Sequence, residues 1–533
     1  MEHQPRGYVS IVLHSHLPFV KHPEHERFLE ENWLYEAMME TYIPFLMSLE
    51  KLESEGIYPR ITVSMTPPLC HMLEDELLNH RFEEHLLRLL ELLDKEVQRV
   101  AGDGEAEQVV YFYRERFQSI LAYYRDTLQR SILGGYRRFM ESGAIEIITC
   151  GATHGFLPNL RVTPRSVHAQ IALGVASYKR IFGRQPRGIW LPECAYYEGL
   201  EDVLAEHGIE YFLTDTHGLL FSRPRALYGN YAPIVSPRGV AAFGRDQESS
   251  KQVWSSKEGY PGDIRYRDFY RDVGWDLEYE YIKPYINPDG KRVFVGLKYY
   301  RITGDSDHKE LYDPAAAQAI VQEHASNFLF NREKQIEYLQ AAMGKAPIVV
   351  CPYDAELFGH WWYEGIDFLY HFSRKMAQDQ DSIAPITLGE YLDRFPEQQI
   401  ARPAASTWGD KGYNEVWLNE GNDWIYKYLH DCSITLSELA RKYATSATPE
   451  QERLLNQLGR ELLLAESSDW AFLMTTRTAA EYSSKRTVEH IENFRRVRHM
   501  LEGSEPIDWD YIESIEFKDS IFYREMDFRL YCP

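Results

Sequence analysis

Cysteine is scarce in this 533-residue chain. Its six cysteines (Cys70, Cys150, Cys194, Cys351, Cys432 and Cys532) lie far apart, with no Cys-x-x-Cys. That excludes a disulfide framework and a zinc ribbon, and points to reduced thiols used in packing. Long apolar runs are missing as well. Strand-like runs such as Tyr8 to Leu13 hold about six residues, against the ~20 that a membrane-crossing helix needs, so no membrane partner is expected. Met1 to Arg6 are polar and lack the apolar core of a signal peptide, which predicts a cytoplasmic protein. Positive charge is in deficit. Lys and Arg number 58 against 81 Asp and Glu, a net charge of −23 that repels polyanions and argues against nucleic acid as a partner. Internal repeats, low-complexity tracts and basic amphipathic helices are also lacking.

Hydrophobic residues at 44% and charged residues at 26% are enough for a large core, and the length predicts two or three domains. Aromatic residues reach 14%, with 37 Tyr and 11 Trp. Many sit beside Gly, Asp and Asn rather than inside apolar runs, a placement that suits flat binding walls.

Short β-type runs alternate with helical segments over the first three quarters: Tyr8 to Leu13, Arg60 to Met65, Ile145 to Thr149, Gly188 to Leu191, Tyr211 to Thr214, Arg292 to Leu297 and Pro347 to Cys351. Such runs predict parallel strands buried on both faces. A closed β/α barrel is the favoured reading and a doubly wound open sheet the alternative. Between Met72 and Met140, Leu86, Leu90, Leu93 and Val97, then Phe117, Leu121, Tyr124 and Leu128, recur at helical spacing around a break at Gly102 to Gly104. A helical hairpin inserted into the barrel is expected. Beyond Pro403 the periodic segments Ile434 to Tyr443, Glu450 to Leu464 and Asp469 to Leu501 predict a C-terminal helical domain. The expected division is 1–70 and 141–402 for the barrel, 71–140 for the insertion and 403–533 for the C-terminal domain.

Four polar clusters each follow closely on a predicted strand: His14-Ser15-His16, Thr153-His154, Glu193 after Trp190-Leu191-Pro192, and Asp354 after Cys351-Pro352-Tyr353. A β/α barrel gathers its strand ends on one face, so these clusters would converge there. Two chemistries fit. Glu193 and Asp354 would form a carboxylate pair for glycosidic bond cleavage, or His14, His16, His154 and a carboxylate would bind a water-activating metal. Trp190, Trp361, Trp362, Trp408 and Trp417 favour the first, because the apolar faces of sugar rings stack on indole.

Five ordered segments then become informative: His14-Ser15-His16-Leu17-Pro18, Gly151-Ala152-Thr153-His154-Gly155-Phe156-Leu157-Pro158, Trp190-Leu191-Pro192-Glu193-Cys194-Ala195-Tyr196, Tyr353 to Trp362, and Ser406 to Asn419. With them the chain closely resembles glycoside hydrolase family 57, and within it the glycogen (1,4-α-glucan) branching enzymes. Ser467-Ser468-Asp469-Trp470 looks like the family's helical C-terminal domain. The resemblance implies a distorted seven-stranded β/α barrel with a helical insertion and a C-terminal α-helical domain. It implies a double displacement that retains the α configuration, with Glu193 as nucleophile and Asp354 as general acid and then base, no metal and no cofactor. By the same matching His14, His16 and His154 would bind sugar hydroxyls, and Trp275, Trp408 and Trp417 would guide an α-1,4-glucan. Trp361 and Asp469 complete the expected substrate-binding set, and Tyr228 or Tyr231 would stand on a mobile loop covering the intermediate. A branching transferase involved in glycogen biosynthesis is the expected activity. An α-glucan hydrolase, a 4-α-glucanotransferase and a non-catalytic glucan-binding protein are the alternatives.

Overall fold

The first strand of the computed structural model, β1 (Gly7–Ser15), is buried along its whole length. Residues 4–255, 258–304, 306 and 308–532 are described. The other strands are β2 (Ile61–Met65), β3 (Ile145–Cys150), β4 (Gly188–Trp190), β5 (Tyr211–Thr214), β6 (Ile234–Val235), β7 (Ala241–Gly244), β8 (Ile348–Asp354), β9 (Ile383–Pro385) and β10 (Gln399–Ile400). Seven run parallel in the order β7-β5-β4-β3-β2-β1-β8. β9 flanks the start of β1, while β6 pairs antiparallel with β7 and carries β10 beyond it. The sheet curls: the Asp246 amide, just past β7, donates to the Val350 carbonyl of β8 at 2.9 Å. This is the distorted seven-stranded barrel that the family resemblance implied.

Register fixes what gathers at the rim. His14 lies opposite Ser64 on one side and Asp354 on the other, and Cys150 lies opposite Trp190. Parallel strands in this register present their C-terminal ends together, on the face where β/α barrels build sites.

Helices Pro67–Glu74, Glu76–Arg99, Gly104–Ala122 and Ile132–Glu141 separate β2 from β3. Asp75 and Asp103 cap the two longest by accepting from the Leu78 and Ala106 amides. Their buried Leu86, Leu93 and Phe117 share one core with Val63 and Ile147 of the barrel. After the barrel come helices Tyr426–Tyr443, Pro449–Ala465, Ser468–Thr476, Ala480–Glu502 and Trp509–Lys518. The expected run from Asp469 to Leu501 is therefore two helices, divided where Arg477 turns left-handed (φ 60°). No helix among the described residues is long and apolar enough to cross a membrane, and all six cysteines are unbonded.

One expected strand is not a strand. At Arg292 to Leu297 the backbone is irregular, because the Val295 and Gly296 amides donate to the Asp272 carboxylate (2.9 and 3.0 Å) instead of to a sheet neighbour. Its place in the barrel is taken by β7, whose Ala-Ala-Phe-Gly carries little β-branched signal.

The helix Pro164–Phe182 lies directly on the end of β3 at Gly174, where a Cβ would sit 2.1 Å from the Cys150 carbonyl oxygen. Backbone cannot yield as a flexible side chain does. Gly174→Ala is expected to destabilise the fold by about 1–3 kcal/mol in urea unfolding, the range for overpacking, and an unchanged midpoint would contradict this close approach.

Candidate active site

Glu193 stands on a tight turn, Pro192–Cys194, directly behind β4. Its φ is 64° and that of Cys194 is 50°, a left-handed pair that costs each non-glycine residue about 1–2 kcal/mol. The surroundings hold the turn in place. Cys194 and Ala195 amides donate to the Leu191 and Pro192 carbonyls (2.8 and 3.1 Å), and the Trp408 amide donates to the Glu193 carbonyl at 3.0 Å. The strained turn points the carboxylate at two donors: Trp408 Nε1–H to Oε2 and Ser468 Oγ–H to Oε1, both at 2.9 Å. The side chain keeps 13% of its surface exposed, enough to be reached.

Asp354 ends β8 opposite His14. Among the described residues no donor reaches its carboxyl group. The two acids therefore differ. Burial, with the Asp469 charge beside it, pushes Glu193 up to about 7 despite its two donors and the nearby His16. Burial, then the Glu356 and Glu193 charges, hold Asp354 well above the usual carboxylate range, with Arg245 opposing. Of the pair, Asp354 retains its proton more firmly, and Glu193 is the better equipped to carry charge. That is the separation an acid and a nucleophile need.

The three histidines form a stack. His14 lies flat on Trp190 (centroids 4.3 Å apart, planes at 9°), and His16 stacks on His154 at 3.7 Å. His14 Nδ1 meets Ser64 Oγ at 3.1 Å and its Nε2 meets His154 Nε2 at 3.0 Å, while His154 Nδ1 meets Ser468 Oγ at 2.8 Å. His16 is bound by Thr66 Oγ1 at Nδ1 and by both Asp469 oxygens at Nε2, all at 3.0 Å. Burial and the neighbouring imidazoles push His14 and His154 well below the usual histidine range. For His16 burial also works against the charge, yet Asp469 wins and raises it.

His16, His154 and Asp469 offer ligand atoms within 4.8 Å of one another, the spacing of a cation site. Every imidazole nitrogen there is already committed to a protein partner, so the cluster is built as a hydrogen-bonded network. A second such group, Glu461, His490 and Asp519, is fully buried in the C-terminal helices, where Arg486 pairs with Asp519 at 2.9 Å.

The remaining expected positions divide. Trp408 touches Glu193 directly and is flanked by Trp190 at 4.9 Å, Trp254 at 6.1 Å and the Arg245 guanidinium at 5.6 Å. Trp275 (56% exposed) and Trp361 (54%) present open rings, Trp361 backed by Phe269 at 4.4 Å. Trp417 does not. It is fully buried and stacked on Phe156 at 4.6 Å, a core residue rather than a glucan guide. Tyr228 and Tyr231 are also misplaced for a lid. The Tyr231 carbonyl accepts from the amide of Ile348, the first residue of β8, and Lys345 sits 4.8 Å over the Tyr228 ring. Asp354 is the last residue of β8, about 20 Å further along at ~3.3 Å per residue. Leu227 is bonded to Gln399 (2.7 Å) and Asn230 donates to the Arg245 carbonyl, so the segment passes the end of β7 while its two tyrosines lie beside the start of β8.

Ser468, Arg245 and Trp254 were not read from the sequence as site residues. Ser468 and its neighbour Asp469 reach the site because the Ser468 amide donates to the His154 carbonyl at 3.0 Å, seating the start of the helix Ser468–Thr476 on the barrel rim. Arg245 follows β7 directly, so recognising that strand would have exposed it.

Residues 10–325 match the family described as Glycosyl hydrolase family 57. The chain belongs to glycosyl hydrolase family 57. Residues 428–531 match a second family, 1,4-alpha-glucan branching enzyme, C-terminal. Among family 57 relatives, the 1,4-alpha-glucan branching enzyme TK1436 of Thermococcus kodakarensis is 32% identical, the match covering 97% of this chain and 77% of that protein. The alpha-amylase AmyC from Thermotoga maritima is similar in structure at TM-score 0.93 and 45% identity, covering 99% of both chains. The GH57-type branching enzyme from Pyrococcus horikoshii follows the same fold at TM-score 0.89 and 33% identity, covering 99% of this chain and 97% of that one.

Proposed function

We propose that this family 57 chain is a 1,4-α-glucan branching enzyme working by retaining double displacement. Asp354 gives its proton to the departing glycosidic oxygen while the Glu193 carboxylate attacks the anomeric carbon, so the C1–O4 bond breaks as the C1–Glu193 bond forms. Asp354, now ionised, takes the proton from a 6-hydroxyl of an acceptor chain, whose oxygen displaces Glu193 to make the α-1,6 linkage. His14, His16 and His154, whose ring nitrogens are all taken by protein partners, form the wall behind the reacting sugar rather than the expected hydroxyl clamps, and Trp275 and Trp361 offer rings for glucan faces. The observation that carries this reading is the unequal pair at the barrel rim: among the described residues Glu193 has two donors and Asp354 none. Similarity of residues 428–531 to branching-enzyme C-terminal domains supports transfer over hydrolysis. The unbonded cysteines suit a reducing compartment such as the cytoplasm, where glycogen biosynthesis would be the setting.

A second reading, net hydrolysis, is favoured by the 45% identity to a protein named as an amylase. One experiment separates them. Amylose is incubated with the enzyme, α-1,6 linkages are counted by proton NMR, and reducing ends are assayed before and after debranching. New α-1,6 linkages should outnumber new reducing ends, whereas reducing ends accumulating without branches would establish the hydrolase.

A further inference from the structure

The nucleophile's hydrogen bonds come from outside its own loop. Trp408 supplies one, and the other comes from Ser468, 275 positions later in the chain and at the start of a C-terminal helix. Ser468 is 2% exposed and makes two side-chain contacts, to His154 Nδ1 at 2.8 Å and to Glu193 Oε1 at 2.9 Å. A hydroxyl has one proton to give. When Glu193 is ionised its carboxylate can only accept, so Ser468 must spend that proton on Glu193 and accept from His154 Nδ1–H. The order then propagates. His154 is left with a bare Nε2, which accepts from His14 Nε2–H, and the bare His14 Nδ1 accepts from Ser64 Oγ–H. Each link is between 2.8 and 3.1 Å, and each atom has the role its chemistry permits. Both imidazoles are kept neutral by burial and by their neighbours, as this order requires.

We infer that Ser468 is a positioning residue for the nucleophile: it fixes the tautomers of His154 and His14 in one direction and stabilises the ionised form of Glu193. This rests on Glu193 being the nucleophile. Its consequence is that the C-terminal helices take part in the charge state of a group carried by the barrel. The charged or titratable groups around Glu193 are His14 on β1 and His16 just past it, His154 after β3, Asp354 at the end of β8, Asp469 beside Ser468, and, around Asp354 in turn, Glu356 past β8 and Arg245 after β7. Cys150 and Cys194 also face it, but burial pushes their thiols well up and they stay neutral. None of these groups duplicates the Ser468 bond.

The test follows the pH dependence of covalent trapping by 5-fluoro-α-glucosyl fluoride, read as a mass increment on the peptide holding Glu193. This probe needs little help from an acid, so its rate reports the nucleophile's ionisation. Ser468→Ala is expected to move the acid limb of the trapping rate up by about one pH unit, the scale of one charge-assisted hydrogen bond partly replaced by water. Ser468→Thr, which restores the hydroxyl, should bring it back. If the Ala variant loses the fold, Ser468→Cys carries the same test with a weaker donor of similar size. An acid limb unmoved in a folded variant still labelled at Glu193 would overturn the inference alone. Label on a different carboxylate would overturn the nucleophile assignment, and this inference with it.

Discussion

Glu193→Gln is expected to lower turnover on amylose by at least about 10⁴-fold while leaving the protein folded, because the amide keeps the shape and removes the oxygen proposed to attack the anomeric carbon. Asp354→Asn should cost about 10²- to 10⁴-fold on amylose, whose leaving oxygen needs a proton, and far less on α-glucosyl fluoride, whose leaving group does not. That contrast assigns the two roles; equal losses on both substrates for Asp354→Asn would remove the acid assignment. The same Glu193 variant has a stability signature. Burial raises Glu193 from the ordinary 4.5 to about 7, so the folded state binds the proton more tightly than the unfolded one. The stability this contributes is present in full below pH 4.5 and is lost as pH rises through 7. Glutamine cannot ionise. Relative to the parent enzyme, Glu193→Gln should therefore gain roughly 3 kcal/mol in unfolding free energy between pH 4.5 and 8, at 1.36 kcal/mol per unit of pKa. Parallel stability profiles for the two proteins would mean that burial does not govern this carboxylate.

Burial thus opposes, at Glu193, the charge that the proposed attack needs. His14, His154, Glu193 and Asp354 are legible in the sequence because each stands at or just past the end of a buried strand, and a polar group placed at the end of an apolar run is conspicuous. Register then does the assembly, setting His14 opposite Asp354 without any sequence proximity. Ser468 carries no such mark. It contributes through a helix docked hundreds of positions away, and a serine before an apolar helix ordinarily reads as a cap. Trp417 was misread for the converse reason, since an indole within a motif looks the same whether it faces glucan or, as here, stacks on Phe156 inside the core. Side-chain satisfaction of backbone amides hid another feature. Asp272 takes the Val295 and Gly296 amides, so a Val-rich segment that looks like a strand has no need of a sheet. The tyrosine segment differs from expectation because composition fixes what a loop can do but not where its rings lie, here beside Lys345 and Ile348 rather than at Asp354.

The last expected effect concerns Asp469, on the same helix turn as Ser468. Burial alone would raise its carboxyl group, but the His16 charge, with its bonds to both oxygens, pulls it down to about 2, helped by the Ser467 hydroxyl. A carboxylate depressed in this way contributes stability above the ordinary 3.8 that is lost as pH falls toward 2. For His16 the sign is reversed: its raised affinity contributes stability below the ordinary 6.5, lost as pH climbs through the raised value. Both contributions coincide at mildly acidic pH. Asp469→Asn leaves the imidazolium buried without its counter-charge, and breaking one side of a buried pair costs about 3–5 kcal/mol. Urea unfolding at pH 5.5 should show that loss, which should shrink as pH climbs through the raised His16 value and the imidazole becomes neutral in both proteins. Glu193 responds as well. Asp469 raises Glu193 more than His16 lowers it, so removing the pair should move the acid limb of activity downward, opposite in sign to the shift expected from Ser468→Ala. Two neighbours on one helix, one donating a hydrogen bond and one presenting a charge, would then be seen to tune the same carboxylate in opposite directions. A stability loss that does not shrink with rising pH, or an acid limb that rises, would show that the ion pair with His16 is not what holds Asp469 ionised.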